Sequence, residues 1–300
     1  LGRQYDPAKG VLGLDIGASS TVAAYANDAT ATLNTFAYGM GYGLESVLQK
    51  SSLRDISRWL SVEVRDEDVR DYLWQHSLYP QNIATTPEEL AIELAATRQL
   101  LRLVMRELAV RNALPSTRFE PILVSGATLN RTATPAQSLL TILDGIQPQG
   151  ISPIILDKHG VLPMLGAIAE FNPLVAIHVL QSSAFTNLAT VVNIDSKIRR
   201  GRTLLTARLD YADGKFTEID VKQGSLAALP LPPGAKGQLT IHMHHRGEIE
   251  DVEISGEPVM VSGGVCGLVL DARGRPLRLL ENDVARRKQL HDWEILLHSQ

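Results

Sequence analysis

Apolar and polar positions follow two regimes along this chain. From residue 11 to about 188, apolar runs of strand length alternate with stretches whose apolar residues recur at helical spacing. From about 190 to 280, short apolar runs follow one another with turn residues between them. The pattern predicts an α/β unit over residues 1–188 and a β-rich unit over 189–300 that ends in a helix. In the first unit, the run 11–16, a small-residue turn at 17–20 and a second run from 21 read as a hairpin, with a third strand near 32–37. The turn Tyr38-Gly39-Met40-Gly41-Tyr42-Gly43 opens a helix over 44–50, and polar helical stretches follow at 53–60 and 66–75. The second of these carries Asp66, Glu67 and Asp68 in its first turn, where the helix dipole favours acids. Trp59, Tyr72 and Trp74 are expected to pack this region.

The clearest helix starts at Thr86-Pro87-Glu88-Glu89, which places a hydroxyl at the cap, proline in the first turn and Glu three residues after the cap. It should run to about 112, burying Leu90, Leu94, Leu101, Val104, Met105 and Leu108, with Arg98, Arg102 and Arg106 on the other face. A strand over 119–124 closes in Ser125-Gly126-Ala127-Thr128, Thr134-Pro135 caps a helix to 146, and a strand at 151–156 precedes helices opening near Pro163 and Pro173. In the β-rich unit, strands at 204–211 and 216–221 flank the hairpin turn Asp213-Gly214, with more near 238–244, 252–254, 259–261 and 265–270. A small sandwich or barrel closes such a set without bare edges. The final helix, 282–297, should dock through Val284, Leu290, Trp293 and Leu297 and leave Arg286, Arg287 and Lys288 in water.

Composition narrows the function classes. The 300 residues are 44% hydrophobic with net charge −4, and no Lys/Arg run exceeds three, which disfavours nucleic-acid binding. No apolar run approaches the roughly 18 residues of a membrane helix. The single Cys266 lies in an apolar run and reads as a small buried side chain; with no intramolecular disulfide available, a reducing cytoplasm is expected. The start, Leu1-Gly-Arg-Gln, has no Met and suggests a piece of something longer. His242 and His244 share a strand face, but no third ligand accompanies them at metal-site spacing.

Chemistry concentrates in two turns. Gly17 and Ala18 let backbone N–H groups approach an anion, Ser19, Ser20 and Thr21 add hydroxyls, and Asp15 at the strand end can hold a metal-bound water. Ser125, Gly126, Ala127 and Thr128 set close-approach backbone near a helix start, where a ligand would sit. Arg98, Arg102 and Arg106 read either as a solvated face or as a contact for an acidic partner or nucleotide phosphate. The charged turn Asp271-Ala-Arg273-Gly-Arg275 reads as structural or as an interaction site.

The order of an Asp-x-Gly hairpin rich in hydroxyls, a Gly-x-Gly turn opening a helix, a long helix, and a strand closed by Ser125-Gly126-Ala127-Thr128 resembles the second half of the actin, Hsp70 and sugar-kinase ATPase fold, a ribonuclease H-like architecture. That resemblance implies ATP with Mg²⁺. Asp15, Gly17, Ser19, Ser20 and Thr21 would form the phosphate loop, Asp15 serving the metal, Gly41 and Gly43 would flank the nucleotide, and Gly126, Ala127 and Thr128 would meet the adenosine. Three departures stand out: Ala18 and Ser125 replace commoner glycines, and no acid follows Thr21. A closer resemblance rests on Pro135-Ala-Gln-Ser-Leu-Leu, Leu143-Asp-Gly-Ile-Gln-Pro-Gln-Gly, Leu156-Asp-Lys-His-Gly-Val-Leu-Pro, Asn187-Leu-Ala-Thr-Val-Val and Gly267-Leu-Val-Leu-Asp-Ala-Arg-Gly-Arg-Pro. Together these resemble the glutamate mutase L family, actin-fold proteins associated with adenosylcobalamin-dependent glutamate mutase. The resemblance implies a nucleotide-binding accessory protein whose partner is such a mutase or a preceding actin-like half. Without that half the cleft has one wall, and phosphoryl chemistry, which needs charges positioned from both sides, is expected to be at most weak. The alternatives are an inactive scaffold of the same fold or a small-molecule kinase, for which no carboxylate base is identified.

Overall fold

The computed structural model describes residues 9–114, 117–244 and 256–298. Strands β1 (Val11–Ile16), β2 (Thr21–Ala26) and β3 (Ala31–Phe36) form an antiparallel meander, followed by helices α1 (Leu44–Lys50), α2 (Leu53–Ser57), α3 (Asp66–Leu78) and α4 (Pro87–Val110). Strand β4 (Ile122–Gly126), helices α5 (Ala127–Asn130) and α6 (Pro135–Ile146), strand β5 (Gly150–Asp157), helices α7 (Leu162–Phe171) and α8 (Pro173–Leu180) and strand β6 (Phe185–Asn193) come next. Then follow β7 (Thr203–Tyr211), β8 (Phe216–Lys222), β9 (Leu226–Leu229), β10 (Lys236–Met243), β11 (Val259–Ser262), β12 (Leu268–Asp271) and α9 (Asp283–His298). The main sheet runs β3-β2-β1-β4-β5-β6-β12-β9, with β4 parallel to β1, β5 parallel to β4, and β6 antiparallel to β5.

Local chemistry accounts for the elements that place the site. Thr86 accepts from the Glu89 backbone while the Glu89 carboxylate accepts from the Thr86 backbone, both at 3.2 Å, so α4 begins where its capping box dictates. Its inner face, including Leu100, Leu101 and Val104, packs with Leu139 and Leu143 of α6 over Leu12 and Leu14 of β1 and Ile122 and Val124 of β4. The opposite face of the sheet is covered by α7 and α8 through Leu123, Leu165 and Phe185. Among the described residues no helix is long and apolar enough to cross a membrane.

The sandwich expected in the β-rich unit forms in a different way. Strands β9 and β12 join the main sheet, and the four-stranded sheet β11-β10-β7-β8 closes face to face on that edge, sharing a core of Val192, Leu205, Leu209, Leu239, Ile241 and Leu270. The position 188/189 lies inside β6, which pairs with both β5 and β12. The strand expected at 252–254 lies outside the described residues.

Several side chains depart from expectation. Trp59 is buried, but Trp74 is 44% exposed, because α3 turns that side outward. Val284 is exposed rather than docked, and Arg286 folds back to pair with Asp283 at 2.7 Å and to donate to the carbonyls of Leu280 and Glu281. Arg98, read as part of a solvated face, is 8% exposed and donates to Asp144 at 3.0 Å.

Candidate functional site

Parallel pairing of β1 and β4 sets Asp15 level with Ser125 and Ile16 level with Gly126. The turns at 17–20 and 126–128 therefore leave the same edge of the sheet from strands about 4.8 Å apart. In the next strand, Asp157 stands level with Ser125. Its fully buried carboxylate accepts from the backbones of His159 and Leu162 and so caps α7. Sequence reading passed over this carboxylate, although an Asp ending an apolar strand just before a proline-started helix was its signal.

The predicted residues divide by access. Ala18, Ser19 and Ala127 are exposed, and Asp15, Gly17 and Ser20 are half-buried. Ser125, Gly126 and Thr128 are buried, Gly126 capping the short helix α5 in the space where a loop was expected. Thr21 is fully buried, and its hydroxyl donates to the Tyr38 carbonyl at 2.8 Å, which commits it to the fold. Gly41 and Gly43 are buried behind the hairpin turn. The Met40 backbone donates to Gly17 O and the Gly43 backbone to Ala18 O, each at 2.9 Å. A Cβ on Gly43 would stand 2.3 Å from Ser19 O, and one on Gly39 would stand 2.4 Å from Ala18 O. The glycines of this turn thus exist for close backbone contact with the hairpin they support.

Behind that turn lies a polar cluster that sequence reading missed. His76 Nε2 is 3.0 Å from Met40 O, Tyr72 donates to Glu93 Oε1 at 2.8 Å, and His76 Nδ1 lies 3.9 Å from the same carboxylate oxygen. Burial, reinforced by the adjoining Glu93 carboxylate, pushes the Tyr72 phenol far above its ordinary range. His76 carries no motif of its own in the sequence. Its partner Glu93 comes from α4, out of reach of any local pattern.

The groups a guest can reach are the Asp15 carboxylate, the Ser19 and Ser20 hydroxyls and the backbone of the turn. One carboxylate with hydroxyls fits a Mg²⁺ that keeps most of its waters and takes its other ligands from phosphate oxygens; it does not fit a metal held by protein alone. Beside Asp15, a cavity of about 750 Å³ opens between the β1–β2 face and α7–α8, lined by apolar groups including Val11, Val22, Leu33, Leu165 and Ile177. It continues into an apolar outer surface on α7 and α8, where Met164, Phe171 and Leu174 are 59%, 87% and 65% exposed.

The turn after β12 is structural. Asp271 accepts from Arg273 Nη2 at 2.8 Å and from Arg275 Nη2 at 2.9 Å, Arg273 Nη1 reaches Asp144 at 2.8 Å, and Arg275 also donates to Asn193. Burial alone would raise the Asp271 carboxyl, but the two guanidiniums outweigh it and hold the group well below the usual carboxylate range. The Arg273 guanidinium lies 4.5 Å from the Trp293 ring centre, which ties α9 to the same network. With side-chain exposures of 1% for Arg273 and 7% for Arg275, neither is presented to a partner, contrary to the interaction-site alternative.

These features define a mixed α/β protein with two strand-end turns side by side and a neighbouring apolar cleft. The family model described as MutL protein matches residues 8–184, more than half of the chain, and the chain belongs to this family, the glutamate mutase L family. No curated protein matches it.

Proposed function

We propose that this chain is one half of an actin-like, nucleotide-binding accessory protein that serves an adenosylcobalamin-dependent mutase such as glutamate mutase. The observation that carries the reading is the sheet order β3-β2-β1-β4-β5, with β4 and β5 parallel to β1 and both candidate turns leaving one edge in register. That order is compatible with the actin-like, ribonuclease H-like half that the sequence resembles. Asp15, Ser19, Ser20 and the turn backbone would receive the metal-bound phosphates, and the backbone at Gly126–Ala127 would approach the nucleoside. When bound, Mg²⁺ would neutralise phosphate charge. The chain's own residues supply binding and orientation, and among the described residues no second carboxylate lines the cavity beside Asp15 to act as base. The apolar cleft and the bare faces of α7 and α8 lie next to these turns, which supports a second actin-like half as the partner that closes over them.

Titration calorimetry with ATP and Mg²⁺ tests the reading. Heat that disappears in Asp15→Asn supports it, and an absence of both heat and thermal shift in the wild-type chain overturns it. Partner binding that persists unchanged in Asp15→Ala would favour the inactive scaffold.

A further inference from the structure

On the sheet face opposite α7 and α8, helices α2, α4 and the end of α6 enclose a cavity of about 490 Å³. Among the described residues, Lys50, Arg58, Arg102 and Arg106 line it against one carboxylate, Asp55. That carboxylate is shared, because Asp55 Oδ2 also accepts from the backbone and hydroxyl of Ser52 in the α2 capping box. The end of α6 contributes carbonyls of its last turn, equivalent to about half a negative charge, which offsets little of the positive excess. Arg58 and Arg102 rest on the Trp59 ring at 5.1 and 5.8 Å, fixing their guanidiniums, and Arg58 Nε is buried with no hydrogen-bond acceptor among the described residues. Gln99, Gln147 and Thr117 add neutral polar groups, and Leu103 and Ile146 form an apolar floor.

We infer that this cavity binds a small, multiply charged oxyanion, with the arginines of α2 and α4 as its recognition groups. Three guanidiniums and an ammonium set against one carboxylate are a poor solution for stability and a good one for a phosphate or polycarboxylate, which they meet with paired, charge-assisted hydrogen bonds. The cost of the empty state is visible in the arginines themselves. Burial lowers the pKa of Arg58 and of Arg102 and outweighs the attraction of Asp55 and, for Arg102, of Asp144; repulsion from Arg286 adds to the fall at Arg58, and repulsion from Arg58 and Arg106 adds to it at Arg102. The volume falls within the range of small-ligand sites. Asp15 and its turn face the other side of the sheet, so this site is independent of the one proposed for nucleotide.

Thermal-shift and calorimetric titrations of the 300-residue chain, in EDTA and at constant ionic strength, test the inference with pyrophosphate and citrate in separate arms, which distinguish phosphate from carboxylate ligands. The melting temperature should rise with at least one of them. Affinity should fall about tenfold or more in Arg102→Gln and in Arg106→Gln, the latter an exposed position whose loss leaves folding intact. Without ligand, both variants should melt no lower than wild type, and Asp15→Asn should keep the full shift. No shift with either anion overturns the inference. So does a shift retained by either arginine variant, or one abolished by Asp15→Asn.

Discussion

Replacing Asp144 by Asn removes one charge from the centre of the molecule while keeping the side chain's shape. Asp144 is fully buried, accepts from Arg98 at 3.0 Å and from Arg273 at 2.8 Å, and links α4, α6 and the turn after β12. Arg273 keeps Asp271 in the variant, but Arg98 is left with its charge in a dry interior. Breaking a buried pair from one side costs about 3–5 kcal/mol, a large part of a typical total of roughly 5–15 kcal/mol. At about 2–4 °C per kcal/mol for chains of this order of size, the melting temperature should fall by roughly 10 °C. Urea denaturation followed by tryptophan fluorescence suits the measurement, since Trp293 stacks on Arg273 and reports the network directly. The reasoning also predicts non-additivity: Asp144→Leu combined with Arg98→Met should lose at least about 1 kcal/mol less than the two single losses together, because the orphaned charge leaves with its partner. A single variant within about 0.5 kcal/mol of wild type would refute the argument, as would strict additivity.

Other outcomes follow from the same geometry. The Asp271 carboxyl has a depressed folded-state pKa, so its contribution is complete above its unfolded value of about pH 4 and is lost as the pH falls through the lower folded value; urea midpoints across acid pH should show that loss diminished in Asp271→Asn. Gly43→Ala forces a Cβ to within 2.3 Å of Ser19 O, and the resulting shift of the hairpin turn should cost roughly 1–3 kcal/mol and weaken any ATP heat, read by melting and calorimetry. Cys266 is 1% exposed and burial pushes its thiol up to about 11, so Ellman's reagent should label it only after unfolding. Phe171→Ser, on an 87% exposed site, should move the melting midpoint of the chain very little, by the equivalent of about 0.5 kcal/mol at most.

Features governed by neighbours along the chain were legible in the sequence. The capping box at Thr86, the helix over residues 44–50, the Asp213-Gly214 hairpin and the β1–β2 turn all lie within a few residues of the groups that determine them. Side chains decided by distant partners were not. Helical spacing alone grouped Arg98 with Arg102 and Arg106 on one face, and only distant partners separate them: Asp144, 46 residues on, takes Arg98, Trp59 lies under Arg102, and Arg106 alone is exposed. The same holds for Gly43, crowded by a hairpin more than twenty residues earlier, for Gly41, crowded by Pro80 and Ala18, and for the β-rich strands, whose apolar alternation is silent about which sheet they join. At the candidate site the sequence singled out the two turns, and the pairing of β1 with β4 sets them side by side. The sequence could not separate the residues that face outward from Thr21, Ser125 and Thr128, which the fold has claimed.

Strand β6 carries hydrogen bonds to β5 on one edge and to β12 on the other, and its side chains enter both of the larger cores. A shared rib of this kind acts as a common spine rather than a tether. Cutting the polypeptide after Leu188 would divide one strand between two fragments, strip β5 of a neighbour and deprive the C-terminal layer of its template. The two segments would be expected to recover their shape only when mixed, as complementing pieces of one body.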